Sequence, residues 1–192
     1  MAIAFSPRRL FTREEFQRAG EAGLFRPDER LELIAGEVVR KMTLQQSRHA
    51  SGVYLVQEAL RRVFGPGFLV RVQLPLALLE DSEPEPDVAV VAGEPRAFVS
   101  AHPTSALLVV EVSDTTLAFD RATKGGLYAR AQVQEYWIVN LRDQVLEVHR
   151  EPAPMAEQPV GHQYRSVVRL TDADEITPLA ASASIPVADL LP

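Results

Sequence analysis

Two carboxylates and one amine are the side chains of this sequence best suited to chemistry. Asp87 follows Pro86 directly and opens the apolar run DVAVV; Glu111 lies near the end of ALLVVEV (106–112); Lys124 comes a short way further on. Neighbouring strands run ~4.8 Å apart, so carboxylates at adjacent strand ends can share one cation. Hard oxygen ligands suit Mg²⁺, which keeps several waters and takes one or two protein carboxylates, with Mn²⁺ the expected substitute. Such an ion polarises a phosphoryl oxygen and acidifies a bound water. The chemistry expected of the trio is Mg²⁺-dependent hydrolysis of a phosphodiester.

Each member has a plainer reading beside it. A Pro-Asp pair before a strand is ordinary turn chemistry. Glu111 follows Leu107, Leu108, Val109 and Val110, and a buried carboxylate requires a metal or a cationic partner, arginine being the rival. Lys124 is one of only two lysines, with Lys41, beside 18 arginines. A lysine kept in that background points to a need for its compact, titratable ammonium. Leu117, Asp120, Tyr128 and Ala131 share its helical stripe, which reads as sheet-facing. An inward lysine could orient the attacking water or stabilise transition-state charge; an exposed Asp120–Lys124 pair fits the same spacing. His49, four residues after Gln45 on a helix, could face the cleft or be a satisfied structural group. Tyr136, Trp137 and Ile138 read as core.

The elements that must position these groups are legible from period and punctuation. Thr12 and Glu15 have capping-box spacing, which predicts a short helix over 12–20. Residues 31–42 read as a hairpin around Ala35-Gly36. Thr43 and Gln46 repeat the capping-box spacing before a long helix at about 44–64, which Gly65-Pro66-Gly67 stops. Strands are expected at 68–79, with Pro75 an edge or bend, then at 87–91 and at 106–112, the last apolar enough to be covered on both faces. A helix at about 117–131 leads to paired strands at 135–139 and 145–149, a loop at 155–159 and a strand at 165–170. Ile185, Val187 and Leu190 are expected to dock the tail. Gly125-Gly126 inside a helix implies close approach of another backbone, a packed strand more readily than a ligand. The fold class is α/β, with a central mixed β-sheet flanked by helices, in one domain over 1–192.

Composition narrows the alternatives. With 46% hydrophobic and 24% charged residues the chain is ordinary globular material. It has no cysteine, which excludes disulfides and thiolate metal sites, and its four histidines (His49, His102, His149, His162) form no close ligand pair for zinc. No apolar run approaches the ~18 residues of a membrane span, and the opening MAIAFSPRRLFTREEF does not read as a secretory signal; a cytoplasmic protein is expected. Net charge is −6, divided as +4 up to Arg71 and −10 beyond it. A basic N-terminal surface could touch phosphate, although tight non-specific DNA binding is not what this balance predicts.

PEPDVAVV (84–91), VVEVSDTTLAFD (109–120), Lys124, Tyr128 and EYWIVN (135–140), with FTREEF, LELIAGEVV, His49 and the closing IPVADLLP, resemble the Uma family. That family is a large bacterial set of uncharacterised proteins assigned to the PD-(D/E)XK restriction-endonuclease-like superfamily. The resemblance implies a restriction-endonuclease-like core with Asp87 and Glu111 as metal ligands. The superfamily's lysine usually falls two residues after the second acid, where this chain has Ser113; Lys124 matches the family's lysine, displaced onto the following helix. Glu32 matches a family acidic position that would support the metal site. Gln132 stands where a turn glycine is usual and Asn140 where aspartate is usual. The implied function is a Mg²⁺-dependent endonuclease acting on nucleic acid, DNA first, with a homodimer expected from symmetric two-strand cutting. The alternative is an interaction protein that keeps the nuclease fold without turnover.

Overall fold

A computed structural model describes residues 8–41 and 46–192. Helix α1 (Arg13–Glu21) starts at the expected capping box: Thr12 accepts from the Glu15 N–H while the Glu15 carboxylate accepts from the Thr12 N–H. The hairpin forms from β1 (Leu31–Ile34) and β2 (Glu37–Arg40), with Ala35 and Gly36 both left-handed (φ 50° and 81°), the geometry of a two-residue primed turn. Helix α2 (Ser47–Val63) follows. Thr43, the expected N-cap, lies outside the described residues, and Gln46 occupies the cap position without a side-chain bond.

Six strands make the central sheet, in the order β3 (Phe68–Val72), β4 (Val88–Ala92), β5 (Leu108–Ser113), β6 (Glu135–Asn140), β7 (Val145–Pro154) and β8 (His162–Leu170). Only the β5–β6 pair is parallel, so the sheet is mixed as expected. Two short strands, β9 (Glu175–Ile176) and β10 (Ile185–Pro186), pair with each other near the end of the chain. The expected strand at 68–79 ends early, at Val72. Gln73 turns left-handed (φ 49°), and the chain then loops back through Leu76 and Glu83, binding Pro84 and the hairpin residue Leu33 on the way to Asp87. The strands at 145–149 and 165–170 extend to Pro154 and His162, respectively, across the loop at 155–161.

Alternation along the central strands sorts the core into two layers. Val88, Val90, Val110, Val112, Trp137 and Val139 pack with Val56 and Leu60 of α2, and Ile185, Val187 and Leu190 dock there as expected. Ala89, Val91, Val109, Tyr136 and Ile138 face the other layer, with Leu127 and Tyr128. The crossover from β5 to β6 supplies that second layer. It runs through α3 (Leu117–Phe119), a five-residue π turn (Asp120–Lys124) and α4 (Gly125–Arg130), where a plain α-helix over 117–131 was expected. Gly126 lies against β8: a Cβ there would meet the His162 carbonyl at 2.9 Å, so the glycine pair serves strand packing. No described helix is long and apolar enough to cross a membrane.

Candidate active site

The β4–β5 register pairs Val88 with Val110, which sets Asp87 opposite Glu111 one step further along. Odd-numbered β5 residues face the α4 layer, so Glu111 meets the crossover rather than α2. Both acids are buried, each 3% exposed. Lys124, 6% exposed, donates to Glu111 Oε1 at 2.9 Å. One helical turn on, the Tyr128 hydroxyl donates to the same oxygen at 2.7 Å. Among the described residues Glu111 Oε2 meets only the Asp87 N–H, at a long 3.4 Å.

Asp87 is held from three sides. Its Oδ2 accepts from the Val112 N–H at 3.0 Å and lies 3.1 Å from His49 Nε2, while Gln73 Nε2 approaches Oδ1 at 3.3 Å. His49 comes from the first turns of α2 and Gln73 from the end of β3, so one carboxylate joins three elements. Burial alone would raise the Asp87 pKa, but His49, Lys41 and the Val112 N–H outweigh it and hold it down at about 2. The same contact raises the His49 pKa.

Glu111 behaves oppositely. Burial, helped by the charges of Asp87 and Asp120, pushes it up to about 7 against the pull of Lys124. Lys124 is held above the ordinary lysine value although burial opposes it, because Glu111, Glu32 and Asp120 all favour the ammonium. Glu32, also 3% exposed, lies between the chain's two lysines: Lys124 Nζ is 3.3 Å from Oε2 and Lys41 Nζ 3.4 Å from Oε1. Lys41 further donates to the Glu85 carbonyl at 2.6 Å, which ties the hairpin to the segment entering Asp87.

The structure thus brings Asp87, Glu111, Lys124, Glu32, His49 and Tyr128 into one cluster. The ion pairs of Lys124 are with Glu111 and Glu32, not an exposed pair with Asp120. Ser113 stands apart from the two acids; its Oγ lies 3.4 Å from Thr116, which in turn donates to Asp120. Lys41 and Gln73 are absent from the sequence-derived set. Lysine scarcity, the signal that singled out Lys124, applied equally to Lys41; Gln73 carried no signal, because its left-handed backbone is invisible in the sequence.

The donor set can be tested against a divalent cation. Four buried carboxylates (Glu32, Asp87, Glu111, Asp120) face two ammonium groups and His49. Burial is the main cause of the rise at Glu111, and the negative charges of Asp87 and Asp120 add to it. Among the described residues Glu111 Oε2 and Asp87 Oδ1 have only long contacts and Glu32 Oε1 accepts no hydrogen bond, so these are the oxygens open to a hard ion. Among the described residues no three His, Cys, Asp or Glu side chains are grouped as a ready-made cage. One or two protein carboxylates completed by water is the pattern that suits Mg²⁺.

Both departures from the family pattern have local explanations. Gln132 adopts φ 58°, which is why glycine suits that turn. Asn140 accepts from the Arg142 and Asp143 N–H groups as aspartate would, and its amide also donates to buried Glu147 at 2.8 Å, which aspartate could not.

A family model described as "Putative restriction endonuclease", Uma2, matches residues 13–187. No curated protein matches the chain. Among solved structures, "a putative nuclease belonging to DUF820 from Anabaena variabilis ATCC 29413" aligns with a TM-score of 0.67 at 16% identity, covering 94% of this chain and 97% of that one. At that identity the likeness speaks for the fold. With nearly its whole length matched by the family model, this chain belongs to the Uma2 family of restriction-endonuclease-like proteins.

Proposed function

We propose that the chain is a Mg²⁺-dependent endonuclease that hydrolyses phosphodiester bonds, DNA being the expected substrate. The observation that carries this reading is the buried Asp87–Glu111 pair with Lys124 locked onto it. Asp87 and Glu111 would hold the cation, through the oxygens that have only long contacts in the protein. When bound, Mg²⁺ supplies positive charge that polarises a phosphoryl oxygen and makes water a better nucleophile at neutral pH.

The chain's own groups supply the remainder. Lys124 keeps its proton at neutral pH, so it serves as a fixed charge and hydrogen-bond donor rather than as a base. Glu32 and Tyr128 hold it and Glu111 in register. His49 and Gln73 fix the plane of the Asp87 carboxylate, and the enclosing apolar strands keep bulk water from dissipating the field.

A second reading, a partner-binding protein without turnover, draws on the net charge of −6 and the enclosure of both acids. Incubation of the purified chain with supercoiled plasmid separates the two. Relaxation to the nicked circle is expected with Mg²⁺ or Mn²⁺ and not with EDTA. A folded chain that neither nicks DNA nor takes up Mn²⁺ in calorimetry supports the second reading.

A further inference from the structure

Among the described residues Arg71 is a buried cation without a counter-charge. It lies on the edge strand β3 opposite Ala89 and is 7% exposed. Its Nη2 donates to the Pro75 carbonyl at 3.1 Å and its guanidinium carbon sits 5.7 Å from the centre of the Phe98 ring. Nε is buried and makes no hydrogen bond, and among the described residues no carboxylate lies within 4.0 Å of the group. Burial pulls its pKa below the ordinary guanidinium value with nothing to offset it. An uncompensated buried charge is costly, and folds retain one where a ligand completes it.

The surroundings say what ligand would do so. Arg71 lines an open cleft of about 320 Å³ together with Gln57, Arg61, Leu74 and Phe98. Arg61 is exposed along more than half of its side chain and its acidic neighbour, Glu58, is a loose 3.7 Å away. Two guanidinium groups and a side-chain amide beside apolar walls match a phosphate with its sugar and base, and the planar fork of arginine suits phosphate oxygens. The cleft lies close along the chain to the candidate active site. Gln73, two residues after Arg71 at the end of β3, contacts Asp87.

We propose that the Arg71 cleft binds a backbone phosphate of a nucleic-acid strand, adjacent to the phosphodiester presented to Asp87 and Glu111. The choice of a nucleic-acid strand over free phosphate rests on the nuclease reading; the cleft itself does not.

Binding of fluorescein-labelled single-stranded and duplex oligonucleotides, measured by anisotropy in the Asp87→Asn background without metal, tests the cleft apart from hydrolysis. Arg71→Met is expected to raise Kd roughly ten-fold and to reduce the slope of log Kd against log salt by about one. Its melting temperature should match or exceed that of the parent, because an unpaired buried charge has been removed. Arg61→Gln, which leaves the core intact, should weaken binding in the same direction. Unchanged Kd and salt slope in both variants overturns the proposal. So does a collapse in melting temperature for Arg71→Met with normal binding by Arg61→Gln, which would make Arg71 a purely structural group. If inorganic phosphate competes with Arg71-dependent stabilisation while oligonucleotides do not, the occupant is free phosphate and the strand assignment fails. A parent that dimerises through this face, with Arg71→Met monomeric and oligonucleotide Kd unchanged, also overturns it. Arg71-dependent binding by a chain that never nicks DNA defeats the hydrolytic reading alone; Mg²⁺-dependent nicking indifferent to Arg71 and Arg61 defeats the cleft alone.

Discussion

Lys124→Met is expected to lower unfolding free energy by about 3 kcal/mol at pH 8–9 and by less than half of that near pH 5. The methionine fills nearly the same volume but removes the ammonium shared by Glu111 and Glu32. Among the described residues Glu111 then has no cation within contact, and Glu32 keeps only Lys41. The pH dependence follows from the direction of the Glu111 shift. Its folded pKa, about 7, lies above the unfolded 4.5, so the folded state holds this proton more tightly. Ionisation therefore destabilises the fold progressively between those values, by about 3 kcal/mol in the wild type. Without Lys124 the folded value climbs further and the penalty extends to higher pH. Below pH 4.5 the carboxyl is neutral in both states and the difference closes. Asp87 does not confuse the comparison, since its folded pKa of about 2 makes its contribution constant above 3.8. Lys124 itself stays charged in both states throughout the window. Urea titrations of both proteins at pH 5 and pH 9 measure the effect; equal stabilities at pH 9 would show that the ammonium is not what neutralises Glu111.

Removal of either proposed metal ligand should abolish nicking while the fold survives. Asp87→Ala is expected to reduce the Mg²⁺-dependent rate by at least about 10³-fold. It deletes one ligand and strands the Val112 N–H and His49 without their acceptor. Glu111→Gln should cost as much in rate, but with a different stability signature. The amide is nearly isosteric and relieves the excess negative charge, so at pH 8 this variant should be at least as stable as the wild type. Groups that act as one unit are strongly non-additive, so the double variant should be little worse than either single one. Plasmid conversion gives the rate, urea titration the stability, and calorimetry with Mn²⁺ should lose its heat in both variants. Nicking that persists in Asp87→Ala would refute the assignment of the site.

The fold was legible in the sequence where local chemistry and tertiary packing agree. The Thr12–Glu15 box, the Ala35-Gly36 turn and the continuous apolar run before Glu111 each specify one answer, and the structure contains all three. The tail docked as Ile185, Val187 and Leu190 suggested because alternating apolar residues near a chain end have few other places to go. The early end of β3 was not legible. Leu74 to Leu79 is as apolar as a strand, yet the segment is diverted at Gln73 and its backbone groups go to Pro84 and Ser82 instead of a sheet. Partner choice of that kind depends on residues distant in sequence. The site divides the same way. Asp87 opposite Glu111 follows from strand pairing, whereas the gathering of Lys41, Gln73 and His49 depends on how the hairpin, β3 and α2 converge. Both of the chain's lysines lie at the cluster, each paired with Glu32.

The π turn at 120–124 has an evolutionary consequence. Each residue of an α-helix advances its side chains by about 100°, and a π turn absorbs one extra residue without ending the helix. Asp120 and Lys124, at opposite ends of the turn, are both buried, while Gly125 and Gly126 pass beneath β8. A further residue between Leu117 and Lys124 that no second bulge absorbs would swing the lysine about 100° off Glu111, or else carry the glycines away from His162. Among descendants of this chain, exposed side chains along that stretch, such as Ala118, are free to drift, whereas its length is fixed by two appointments that must be kept at once.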